Sequence, residues 1–215
     1  MLNDVIFNNE KSAYYDWNIV LTKADIPLPS VKTSSVDIRG ANGILDLSEV
    51  LMGDVCYSNR DIQLTFAMMD DIDYHSIISD IANYLHGKKV TLKLSNDDGY
   101  FYSGRAVISM CDYSHGKSSL VIAVSADPFK YSITESNVVL NLNGETKSLT
   151  LPNKRMKVSP TLVVTGSVTM TFEGNTYTLS DGEQQLLNFV LSEGNNNVSF
   201  SGTGKVKITY RQGAL

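Results

Sequence analysis

The stretch Ile38–Phe66, IRGANGILDLSEVLMGDVCYSNRDIQLTF, decides the reading of this chain. Gly40 and Gly43 supply tight-turn positions of positive φ that other side chains resist. Ile44, Leu45 and Leu47 open a short apolar segment that reads as one helical turn, with Gly53 as the glycine that ends it. Ile62, Leu64 and Phe66 then alternate with Asp61, Gln63 and Thr65, the period-2 pattern of a strand with one buried face. A glycine turn, a helical turn and a strand follow one another here without any catalytic constellation. The stretch reads as a device for assembly.

Outward from it, 215 residues suit two modest domains. A chain of this size removes roughly 70% of its unfolded surface from water, so an apolar core suffices without a disulfide or a metal. With 42% hydrophobic and 19% charged residues the composition is that of a globular protein. Charge is uneven: residues 1–150 hold 12 basic and 19 acidic groups (−7), whereas 151–215 hold 6 basic and 4 acidic (+2). Phosphate binding asks for a basic stripe, and the densest cluster, Lys154, Arg155 and Lys157, reads as a solvated face; nucleic acid is not expected as a partner. Met1 to Glu10 has no basic n-region, and no segment approaches the roughly 18 apolar residues of a membrane span. Synthesis and assembly in the cytoplasm, with no membrane partner, is the expectation. Cys56 and Cys111 lie in apolar, strand-like settings without metal spacing and read as free buried thiols, a bridge between them being the alternative.

Strand signals dominate. In the first half, short β-branched or aromatic runs stand at Val5–Phe7, Ile19–Leu21, Val36–Ile38, Ile62–Phe66, Val90–Leu94, Tyr100–Ser103, Arg105–Met110 and Leu120–Val124. Turns are expected at Asn96–Gly99 and, more weakly, at His115–Lys117. Pro27 and Pro29 make Ile26–Ser30 an extended surface connector. One helix stands out: Asp73 is its N-cap, Ile77, Ile78, Ile81, Tyr84 and Leu85 form a stripe to lie on a sheet, and Gly87 stops it. The fold class expected is mainly β: an α+β first domain, residues 1–132, of antiparallel sheet or sandwich with one packed helix, then an all-β domain, residues 133–215. In the latter, strands are expected at Val138–Leu142, Lys147–Leu151, Thr161–Val164, Ser167–Phe172, Asn175–Leu179, Gln185–Val190, Asn197–Phe200 and Lys205–Tyr210, a series that argues a β-sandwich.

Candidate chemistry is sparse. The pairs Asp70-Asp71 and Asp97-Asp98 read as caps and turn residues, because neighbours in a strand face opposite ways and neighbours in a turn both face water. No Gly-x-Ser-x-Gly, phosphate-binding glycine loop or calcium loop is present, and His75, His86 and His115 are too dispersed to ligate a metal. No enzyme activity, cofactor or metal is expected. Tyr14, Tyr15 and Trp17 cluster early; stacking on a sugar ring is conceivable, but core or interface anchoring is the commoner use of such side chains.

Five segments in order carry a resemblance: IRGANGILDLSE at Ile38–Glu49, Tyr57-Ser58-Asn59-Arg60 leading into IQLTF, Leu85-His86-Gly87-Lys88, DDGYFYSGR at Asp97–Arg105, and Asp127-Pro128-Phe129-Lys130-Tyr131. Across roughly residues 1–131 the chain resembles the distal tail proteins (Dit) of long-tailed, non-contractile phages. The resemblance implies a virion component at the tail tip, a hexameric ring of first domains joining the tail tube protein to the tail-associated hub or baseplate protein. It also implies a galectin-like β-sandwich second domain outside the ring, which in some members carries a receptor-binding protein. The alternative function is a carbohydrate-binding tail module for host-surface attachment.

Ring formation has a physical side. Extended segments such as Met1–Phe7 and Ile26–Ile38 bury themselves poorly and could complete a neighbour's sheet, and identical heterologous contacts that close make rings. The residues expected at the interface are Tyr14, Trp17, Ile38, Arg39, Arg60 and Phe129, with the two arginines as ion-pair partners for the acidic first domain.

Overall fold

The computed structural model describes residues 4–50, 53–68, 73–114 and 117–215. They fall into two compact units, divided between Lys130 and Tyr131. The Asp70-Asp71 pair and the tip of the His115–Lys117 turn lie outside the described residues.

In the first unit β1 (Val5–Phe7), β2 (Lys11–Ser12), β3 (Ile19–Asp25), β6 (Arg60–Met68), β7 (Lys89–Leu94), β8 (Tyr100–Ser114) and β9 (Lys117–Ala126) build an antiparallel sheet in the order β2-β1-β7-β8-β9-β6-β3. A second, two-stranded sheet pairs β4 (Ser35–Asp37) with β5 (Ile44–Asp46). The expected alternation holds in β6, where Ile62, Leu64 and Phe66 are buried and Asp61 and Gln63 exposed. Leu120, Ile122 and Val124 of β9 and Val90, Leu92 and Leu94 of β7 extend the same inner face. Two helices cover it: α1 (Ala13–Trp17) and α2 (Tyr74–Leu85).

The α2 helix forms where its sequence pattern puts it. The Asp73 carboxylate accepts from the Ser76 amide at 3.4 Å, and Gly87 turns the chain out at φ +76. Ile81 and Leu85 are fully buried, with Ile77, Ile78 and Tyr84 packed on the same core. Each fully buried side chain of this size contributes about 1.5–3 kcal/mol, which outweighs the weak helix propensity of isoleucine and tyrosine.

Three expectations need correction here. Tyr100–Ser103 and Arg105–Met110 are parts of one strand, β8, because Gly104 marks a close approach and not a turn: a Cβ there would sit 2.5 Å from the Ala126 backbone across the sheet. Val5–Phe7 is no free segment, since β1 is paired on both sides, with β2 and β7. Ile44–Asp46 is a strand, not the start of a helical turn; the turn comes later, with the Val50 amide donating to Leu47 and the Gly53 amide to Glu49. The Leu47 amide donates to the Ser34 carbonyl oxygen at 2.8 Å, which continues the ribbon.

In the second unit β11 (Ser136–Asn143), β12 (Lys147–Asn153), β13 (Thr161–Phe172), β14 (Asn175–Leu179), β15 (Gly182–Gln185) and β16 (Gly194–Tyr210) form one hydrogen-bonded antiparallel sheet; the short β10 (Lys130–Ser132) and β17 (Gly213–Ala214) pair with each other near the unit's ends. β13 and β16 pair along twelve consecutive positions, so the expected breaks inside each of them do not exist. Instead the flanking strands change: β12 and β14 border one half of this long pair, β11 and β15 the other. Gly166, Gly202 and Gly204, all at positive φ, meet at the changeover. A Cβ at any of them would collide with a carbonyl oxygen of the opposite strand. The sheet therefore folds over at this corner, and both halves bury the same face. Val164 and Leu162 on one side and Val168, Met170 and Phe172 on the other enter one core with Val198, Phe200, Val206 and Ile208. Gln185–Val190, expected as a strand, is not one: beyond Gln185 the chain turns, the Phe189 amide donates to Leu186, and Phe189 packs edge-on against Phe172 at 5.0 Å.

Gly204→Ala should destabilise the second unit by about 3 kcal/mol, from overpacking against backbone plus positive-φ strain. Gly144→Ala, with open space around it, should cost only about 1 kcal/mol of φ strain. Calorimetry of the full chain reads the loss, while fluorescence of the sole tryptophan, Trp17, follows the first unit separately and should not move.

Candidate functional site

Three of the five motif segments converge in one cluster at the end of the first unit. Arg60, the first residue of β6, is only 3% exposed. Its Nε donates to the Pro128 carbonyl oxygen at 3.0 Å, Nη2 donates to the same oxygen, and the guanidinium lies 5.4 Å from the Tyr102 ring centre. Burial lowers the Arg60 pKa, an effect that Tyr102 partly offsets, and burial likewise raises the Tyr102 phenol. Beside them Lys130 Nζ donates to Asp97 Oδ2 at 2.9 Å and sits 4.6 Å from the Tyr100 ring centre. Burial alone would lower the Lys130 pKa, but the Asp97 hydrogen bond and the neighbouring phenols and carboxylate raise it. Phe129 meets Tyr57 edge-on at 5.6 Å. The DDGY turn, the YSNR segment and the DPFK close thus form a structural knot, in which each cation has an acceptor and a ring.

The expected interface residues fall in three places. Arg60 and Phe129 belong to this knot, Arg60 inside it and Phe129 half-buried. On α1, Trp17 is buried against Phe7 at 5.8 Å and Tyr84 at 5.6 Å, while Tyr14 is half-buried and Tyr15 is 78% exposed. The Tyr84 hydroxyl donates to Glu10 Oε2 at 2.9 Å, so Trp17 stands over a tethered ring. Ile38 and Arg39 are exposed, and they lie on the excursion that carries β4 and β5.

That excursion, from Pro27 to Ser58, is the feature the sequence pattern concealed. Its base is closed by the Lys32 amide donating to Cys56 and the Ser58 amide to Ser30, both at 2.8 Å. Every residue from Val31 to Asp46 is exposed, including Val36, Ile38, Leu45 and Ile44, the last 69% so; Val50 beyond them is 68% exposed. None belongs to either core cluster. Adjacent apolar residues between glycines with no alternating partner run were the available signal. The arm's shoulder is braced by Asp46, whose carboxylate accepts from the Ser48 hydroxyl at 2.5 Å and the Ser48 amide at 2.9 Å; these bonds, hydroxyl first, hold its pKa below the usual carboxylate range.

Chemistry of the catalytic kind finds little footing. Among the described residues no group of three or more His, Cys, Asp or Glu could hold a metal. Asp97 is paired with Lys130, and His86 Nδ1 accepts from the Ile108 amide at 3.1 Å. A depression of about 320 Å³ on the outer face of the first sheet brings Asp61 and Arg105 together beside Val107 and Ala123, a single carboxylate with a cation. Both cysteines are free; Cys56 is half-buried, whereas Cys111, expected to be buried, is exposed because β8 runs out past β7 there. No helix among the described residues is long and apolar enough to cross a membrane. In the second unit the rings of Phe172, Phe189, Phe200 and Tyr210 are buried and Tyr177 packs against them, so these rings are committed to the core.

The architecture is thus a mostly β, antiparallel two-unit fold with one helix-covered sheet and one folded-over sheet. The same architecture is found in SPP1 Dit (gp 19.1), described as a paradigm of the hub adsorption apparatus in phages that infect Gram-positive bacteria. The TM-score is 0.71 over 100% of both chains at 13% sequence identity. No family model and no curated protein matches the sequence.

Arg60→Met should cost the first unit about 2–3 kcal/mol, because a buried carbonyl loses a charged donor; urea unfolding read by Trp17 measures it. At Asp46 the sign follows from the lowered pKa: its bracing is present above the ordinary carboxylate range and lost as pH falls through the lower folded value. The Ser48 amide resonance should therefore titrate below that range, and should not titrate in Asp46→Asn.

Proposed function

We propose that this chain is a structural adaptor of a phage tail tip. Six first units close a ring that joins the tail tube to the tail-associated hub or baseplate protein, with the second unit outside the ring and available to a receptor-binding protein. Support comes from the end-to-end likeness in fold to SPP1 Dit and from the motif series of the first unit. The observation that carries the reading is the exposed arm. An isolated two-stranded ribbon is marginally stable in water, and its outer edges and apolar side chains are ready for a partner. A second copy satisfies both needs: the arm of each subunit lies on the next, a heterologous contact that closes.

Within this reading Ile38 and Arg39 act from the arm, and Tyr14 and Phe129 from half-buried positions on the receiving body. Trp17 and Arg60 act through the folds they hold. The adaptor reading is favoured over a carbohydrate-binding module because Phe172, Phe189, Phe200 and Tyr210 of the second unit are committed to its own core. No turnover of substrate is part of the proposal.

Native mass spectrometry and electron microscopy, alone and with the tube protein, should show a hexameric ring. Ile44→Asp combined with Leu45→Asp should abolish the ring and leave circular dichroism and Trp17 unfolding unchanged, since neither side chain enters a core. A wild-type chain that stays monomeric at every concentration, with the tube protein present, would overturn the proposal.

A further inference from the structure

The chain holds two Asn-Gly pairs, Asn42-Gly43 and Asn143-Gly144, and the structure treats them differently. Asn143 is the last residue of β11 and is paired with Thr203, while the Gly144 amide donates to the Gly202 carbonyl at 2.8 Å. That amide nitrogen is held in the sheet. Asn42 lies in the exposed loop of the arm, and Gly43, at φ +80, precedes the first paired residue of β5. Both pairs are exposed, with nothing within 4 Å of the space a Cβ would occupy at either glycine, so the contrast lies in the strand pairing of Asn143 and the held Gly144 amide.

From this contrast we propose that Asn42 is a site of spontaneous deamidation. The Gly43 backbone nitrogen, giving up its proton to solvent base, attacks Asn42 Cγ. A C–N bond forms, the Cγ–Nδ2 bond breaks, and the leaving nitrogen takes a proton and departs as ammonia. Water then opens the resulting cyclic imide at either carbonyl, returning aspartate or isoaspartate. Glycine is what makes the approach possible, since it has no side chain to shield its nitrogen and moves freely in φ. At Asn143 the same attack must first break the Gly144 hydrogen bond and pull the residue from its strand.

The product matters because of where it forms. A new carboxylate appears at the arm tip near Arg39, and isoaspartate adds a methylene to the backbone between the two strands of the ribbon. Free subunits would accumulate altered arms with time. If the arm docks as proposed above, an assembled subunit is protected; this last step alone rests on the ring reading.

The test is incubation of the full-length chain at mildly alkaline pH, with peptide mapping by mass spectrometry to separate aspartate from isoaspartate. Conversion at Asn42 should outpace that at Asn143 by roughly fivefold or more, the factor for one backbone hydrogen bond that must open first. Asn42→Gln, which would need a six-membered imide, should remove the signal from the arm and keep the fold. Equal rates, faster conversion at Asn143, or an unmodified Asn42 would overturn the proposal. A second incubation of assembled rings separates the two ideas: slowing at Asn42 supports arm docking, while an unchanged rate overturns docking of the tip and leaves the site standing.

Discussion

A β-strand with a row of unpaired backbone N–H and C=O groups must find a partner for them or be defended from the wrong one. This constraint organises the whole chain. The large sheet of the first unit ends on one side at β2, two residues long and followed at once by α1. On the other side it ends at β3, where a register irregularity between Leu21 and Lys23 bends the edge, and Lys23 and Asp25 form an exposed ion pair. Both endings discourage further pairing. The second unit answers differently, by folding one sheet over a glycine corner so that one core serves both halves. Among the described residues, the β4–β5 ribbon is the sheet left with two open edges and no core of its own. Its exposure is therefore informative in a way that a lone exposed valine elsewhere is not.

Legibility from sequence followed the range of the interactions. The α2 helix was readable because its cap, stripe and stop lie within fifteen residues and agree with one another. The buried face of β6 was readable for the same reason. Glycine was where local reading failed: Gly104, Gly166, Gly202 and Gly204 look like turn residues, yet each lies inside a long strand where another backbone passes close. Whether a glycine serves a turn or an approach is decided by the partner strand, tens of residues away. Arg60 shows the same dependence on distant partners: expected at an interface as an ion-pair partner, it is 3% exposed in the subunit and donates to the Pro128 carbonyl, sixty-eight residues on. Ile44 and Leu45, whose apolar run reads as a helical turn, are instead exposed residues of a strand.

Fold and function consequently rest on different residues. At 13% identity the likeness in fold to SPP1 Dit does not rest on shared residue identities. Cores tolerate wide substitution when volume and patterning are kept, so such a fold survives the loss of most identities. It does not by itself transmit an activity, because function resides in sites placed on the fold. In the proposed function the arm is such a site: its residues from Val31 to Val50 belong to neither core cluster. A segment that the fold does not need, that leaves apolar side chains in water and that offers two strand edges stabilises nothing until something covers it. In the ring proposed above the covered state is the working state, and the nearest cover is the next copy.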